Sequence, residues 1–162
     1  MMRPITGRAV ASTRRIAAVV FVSTLAAACA DGPAKPASLS GSNEACRYCR
    51  MAVSNQRFAG QIVAPGEEPV FFDDIGCLSN YVQGRRALPR GAVVYVADHR
   101  TREWVSAAAS IFTMVPGLET PMASHLIAHA SGASLDADPV AAGGRRVAVS
   151  TLFPGGLPEN RR

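Results

Sequence analysis

The chain has 162 residues, room for one small domain or two very small ones. Its formal charge of +5 misleads: Arg3, Arg8, Arg14 and Arg15 all precede the first acidic residue, and the rest carries thirteen basic against twelve acidic side chains, a net of +1. With no basic stripe and no interleaved aromatics, nucleic acid is not an expected partner.

The four early arginines are followed by an uncharged apolar run from Ile16 to Ala28, closed by small residues at Ala26-Ala27-Ala28. That is the layout of a bacterial export signal over residues 1–28. The run is shorter than the ~20 apolar residues a membrane-spanning helix needs. Cys29 then resembles the lipid-attachment cysteine of bacterial lipoproteins, although Leu25 stands four places before it rather than the usual three. Residues 29–43, rich in Gly, Pro, Ala and Ser, read as a lipid-anchored flexible linker. The expected location is the bacterial cell envelope, facing the periplasm.

Folded structure is expected over residues 44–153. Met51–Val53 suits a short strand, Phe58–Ala64 a second and Val70–Phe72 a third, the last two joined by a turn at Pro65-Gly66-Glu67-Glu68-Pro69. Asp73 or Asp74 can cap a helix from Ile75 to Gln83, whose stripe is Ile75, Leu78, Tyr81 and Val82, with Gly84 ending it. Ala92–Ala97 and Glu103–Ser106 suit paired strands around the turn at residues 98–102. Ala108–Val115 reads as a strand, and Met122–Ala130 as strand or helix. Asp136 and Asp138 lie near a possible helix start. Val147–Leu152 reads as a last strand, and residues 154–162 as a flexible tail. The fold class is α+β, with small antiparallel sheets and short helices.

Chemistry concentrates in Cys46-Arg47-Tyr48-Cys49-Arg50-Met51. Once Cys29 goes to lipid, Cys46, Cys49 and Cys77 remain, an odd number for a disulfide framework. A four-thiolate zinc site needs a second pair, whereas Cys77 stands alone and His99, His125 and His129 are scattered in sequence. A thioredoxin-type dithiol opens a helix, and the residues after Cys49 look extended instead. In an extended segment Cys49 and Met51 share a face with Arg50 turned away, which places a thiolate beside a thioether and suits Cu(I). The competing reading makes Met51 core filler and Cys46–Cys49 a reducible disulfide. Met122, after Thr120-Pro121, is an available third soft ligand, with His125 and His129 in reserve. In Phe71-Phe72-Asp73-Asp74-Ile75-Gly76-Cys77 the aspartates read as a cap and Cys77 as a buried first-turn residue.

Taken in order, the leader, Cys46-x-Tyr48-Cys49-x-Met51, Phe72-Asp73-Asp74-Ile75-Gly76-Cys77, Trp104 and Thr120-Pro121-Met122 resemble the NosL family of nitrous-oxide reductase accessory lipoproteins. The resemblance covers about residues 44–130. It implies two related ββαβ units, about 44–107 and 108–153, and a non-enzymatic Cu(I) metallochaperone for the copper centres of nitrous-oxide reductase. The implied partners are the apo reductase and a membrane copper transporter or assembly ABC complex. Cys49 and Met51 would be the principal ligands and Met122 the third, with Cys46 and His125 as further candidates. Ala123-Ser124-His125 departs from the glycine-rich continuation that the family tends to have. A thiol–disulfide oxidoreductase using Cys46 and Cys49 is the alternative.

Overall fold

The computed structural model describes residues 34–39 and 44–158. Two antiparallel sheets carry the fold. The first holds β1 (Gly60–Val63), β2 (Val70–Phe72), β3 (Val93–Ala97) and β4 (Trp104–Ser106) in the order β2-β1-β3-β4. The second holds β5 (Ile111–Met114), β6 (Leu126–His129) and β7 (Arg145–Val147) in the order β6-β5-β7. In each, the first strand pairs with the next two strands of its own set, and a helix follows the second strand: α1 (Ile75–Gln83) after β2, α2 (Gly132–Asp136) after β6. The ββαβ order therefore occurs twice. A short α3 (Val149–Leu152) closes the chain.

Strand alternation decides what each face meets. Ile62, Val94 and Val96 of the first sheet, Phe112, Leu126 and Ala128 of the second, and Ile75 and Leu78 of α1 form one shared core, completed by Phe72 and Phe153. The opposite face of the first sheet carries Val63, Val93 and Tyr95. Gln61 lies on that face too, fully buried; its amide accepts from Ala37 N–H at 2.9 Å and donates to Ala37 O at 3.0 Å. The Tyr95 hydroxyl donates to Ala34 O at 2.7 Å. Residues 34–39, expected within a flexible linker, are thus held by the backbone bonds that a buried amide requires. The far face of the second sheet carries Thr113, Ile127, His129 and Arg146.

Several expected elements differ. Met51–Val53 forms no strand beyond an isolated bridge between Ala45 and Ala52. Phe58 belongs to a 3-10 turn, Gln56–Phe58, whose Asn55 cap accepts from Arg57 N–H at 3.1 Å, so the strand begins at Gly60. Ala107–Ala109 likewise forms a 3-10 turn, delaying β5 to Ile111. Ser131, not Asp136, caps α2, while Asp138 caps a 3-10 turn at Pro139–Ala141. The strand expected over Val147–Leu152 ends at Val147, and Val149–Leu152 is helical. Its short apolar run has no decisive period of its own.

Candidate metal centre

Residues 44–53 fold into a knuckle. Val53 N–H donates to Glu44 O at 2.8 Å, Cys46 N–H to Met51 O at 2.7 Å, and Arg50 N–H to Cys46 O at 2.9 Å. Arg50 turns the chain with φ at 70°, the left-handed region that L residues seldom adopt. This corrects the extended geometry expected across Cys49 and Met51: a left-handed residue between them breaks the two-residue alternation. Arg47 N–H donates to Phe71 O at 2.8 Å and ties the knuckle to β2.

The Phe-Asp-Asp-Ile-Gly-Cys stretch builds the opposite wall. Phe72 is fully buried in the core. Asp73 accepts from Ser54 N–H at 2.8 Å and from the Ser54 hydroxyl at 3.3 Å, pinning the end of the knuckle. Asp74 caps α1 through Gly76 N–H at 2.6 Å, and its other oxygen accepts Met122 N–H at 3.1 Å. One side chain therefore fixes both the start of the helix and the Met122 loop. A Cβ on Gly76 would lie 2.8 Å from Ser124 Cβ, so this loop can close on the helix only over glycine. Cys77 follows in the first turn of α1.

The result is a convergence that the sequence did not disclose. Ligand atoms of Cys46, Cys49 and Cys77 lie within 4.8 Å of one another. All three cysteines are free thiols. Cys77, read from sequence as a buried first-turn residue and at most a minor redox candidate, is the missed member. Its signal was the odd thiol count together with its place beside a capping aspartate.

The thiols differ in acidity. Burial opposes ionisation of Cys46, but backbone N–H groups of Cys49, Asp73 and Tyr48 outweigh it and hold the pKa below the ordinary thiol value. Burial pushes Cys49 up, against the Met51 N–H, and the neighbouring Cys46 adds to the rise. Burial pushes Cys77 much further, reinforced by the charges that Cys46 and Cys49 can carry. The cluster accommodates a first thiolate readily and resists further ones unless a cation is present. Three sulfurs held in this way suit a thiophilic metal ion. A dithiol catalyst has the opposite need, because its exposed sulfur must be the good nucleophile. Here the acidic thiol, Cys46, is 0% exposed, and its motif partner Cys49, which is partly exposed, has a raised pKa.

The other expected ligands occupy the surroundings. Met51 is 55% exposed on the return arm of the knuckle, and Met122 is 41% exposed on the loop that Asp74 holds. His125 takes a left-handed φ of 59°, and its Nδ1 lies 2.6 Å from Leu118 O. It is not a member of the thiol group. His99 and His129, scattered in sequence, come together on Asp138 instead. Cys29 lies outside the described residues.

A family model for NosL matches residues 36–148. The chain belongs to the NosL family. Comparison with curated proteins and with solved structures finds no match. NosL proteins are accessory metal-binding proteins and not known enzymes, which accords with a thiol cluster able to hold a metal.

Proposed function

We propose that this NosL protein is a Cu(I) metallochaperone of the bacterial envelope, lipid-anchored through Cys29, that supplies copper to apo nitrous-oxide reductase. The observation that carries the reading is the convergence of Cys46, Cys49 and Cys77 within 4.8 Å, in a NosL protein whose flanking segments present Met51 and Met122 at the surface. Thiolates and thioethers are soft donors, and Cu(I) is the soft ion satisfied by two or three of them. Burial grades the donors: Cys46 and Cys77 are buried, while Cys49 is partly exposed. Transfer then proceeds by ligand exchange, an incoming thiolate or imidazole entering on the Cys49 side before a carrier sulfur leaves. A membrane copper transporter or an assembly ABC complex would load the carrier, and the anchor would hold it near that supply.

The test is anaerobic competition for Cu(I) against a chromophoric chelator. Cys49→Ser and Cys77→Ser are each expected to weaken binding by about tenfold or more. Met51→Ala and Met122→Ala are expected to weaken it less and to speed transfer. Unchanged affinity in both cysteine variants overturns the thiol site. Failure of the loaded protein to metallate apo nitrous-oxide reductase removes the client while leaving the site standing.

A further inference from the structure

We infer that His99, His129 and Asp138 form a second metal site, for a borderline divalent ion such as Zn(II), separate from the thiol cluster. His99 Nδ1 lies 2.6 Å from Asp138 Oδ2, and His129 Nε2 lies 2.9 Å from the same oxygen. The three donor atoms lie within 4.8 Å of one another, and all three residues are buried. Two imidazoles and a carboxylate, with no sulfur among them, are a donor set for Zn(II).

Two further observations favour a ligand over a mere hydrogen-bonded seam. Asp138 and Thr113 line a cleft of about 300 Å³, which gives access from solvent. His129 Nδ1 and the Thr113 hydroxyl are buried and have no partner. Both belong to one face of the second sheet, Thr113 opposite Ile127 and His129 two residues on. Because an ionised Asp138 oxygen can only accept, the metal-free protein calls for the imidazole protons on the nitrogens that face it. When a metal takes those nitrogens, each ring keeps one proton, now on its other nitrogen. For His129 that nitrogen is the orphaned Nδ1.

The test is a Zn(II) titration of the reduced full-length protein, followed by imidazole ¹⁵N resonances. Saturable shifts are expected at His99 and His129, with His129 changing from the Nε2–H to the Nδ1–H tautomer and His125 unaffected. Asp138→Asn should weaken this phase by about tenfold or more while sparing the Zn(II) that Cys77→Ser weakens. Resonances of His99 and His129 that stay fixed while Zn(II) saturates the thiols overturn the site. An Asp138→Asn protein that binds as tightly as the wild type does so too. If Asp138→Asn fails to fold, the wild-type titration decides alone.

Discussion

At the scale of single residues, the thiol cluster is a problem of charge. Its acidic member is Cys46, held below the ordinary thiol value by backbone amides, while burial lifts Cys49 and Cys77 above it. Near neutral pH the last two therefore keep their protons until a cation arrives. Loading Cu(I) at pH 7 should release protons from Cys49 and Cys77, read by calorimetry in buffers of different ionisation enthalpy. Release of none would mean that Cys49 and Cys77 do not bind as thiolates. Tight binding should also weaken as pH falls, because each ligand proton competes with the metal. Gly76 offers a steric test of the same site. Gly76→Ala sets a methyl 2.8 Å from Ser124 Cβ, and the loop carrying Met122 must withdraw. A loss of about 1–3 kcal/mol is expected on denaturation, accompanied by weaker Cu(I) binding. Ser124→Gly in the same chain should restore most of both. Equal losses with and without Ser124→Gly would place the damage elsewhere. These two residues also show what a sequence withholds. Cys77 lies 28 positions from Cys49, so spacing alone gave no reason to join them. Only the capped helix and the knuckle, each tied to β2 or to the residues just after it, bring the sulfurs together.

At the scale of elements, α1 was legible to the residue because several signals agree: an aspartate cap, an apolar stripe at helical spacing and a terminal glycine. β3 was legible as an unbroken apolar run buried on both faces. The knuckle was not, since its shape depends on Arg50 adopting a left-handed φ that nothing in its side chain demands. The short α2 and α3 were lost for a related reason: with five and four residues they carry no full period. Also unseen was the seam where the turn after β3 meets the second sheet. His99 N–H donates to Ala128 O at 2.8 Å, and Asp98 pairs with Ala128 in an isolated parallel bridge. The Asp98 carboxylate accepts from Arg100, Thr101 and Ala130 N–H groups and from the Ser134 hydroxyl. Burial opposes its ionisation, but these four donors outweigh it and lower the pKa from 3.8 to about 2. A depressed carboxylate contributes stability that is fully present above its unfolded value of 3.8 and is lost as pH falls through about 2. Its contribution at neutral pH is about 2 kcal/mol. Asp98→Asn should cost about that much in urea denaturation at pH 7. It should also flatten the decline of stability between pH 4 and pH 2, roughly the window set by the two pKa values. An equally steep acid limb in the variant would assign that limb to other carboxylates.

At the scale of the whole molecule, the two sheets are repeated in topology yet not independent in energy. Ile62 and Val94 of the first sheet, Phe112 and Leu126 of the second, and Phe153 beyond α3 belong to one core. Neither ββαβ set keeps a complete apolar interior without the other, and the Asp98 seam adds polar links between them. The described domain should therefore unfold in a single cooperative step, and residues 44–107 alone should fail to fold. The thiol site adds a second consequence. Its cysteines come from the knuckle and from α1, and Asp74 holds the Met122 loop of the second set against that helix. An ion gripped there binds the folded chain and finds no preformed site in the unfolded one. Loading should shift the entire transition, by about 4 kcal/mol when the free ion stands a thousandfold above its dissociation constant. Scanning calorimetry of the reduced protein with and without Cu(I) checks this directly. Two transitions, with only the earlier set of strands responding to copper, would show that the halves are energetically separate. A single transition that moves as one would mean that any release of a bound ion is a local opening at the partly exposed Cys49: a wider opening would cost the fold that the metal itself supports.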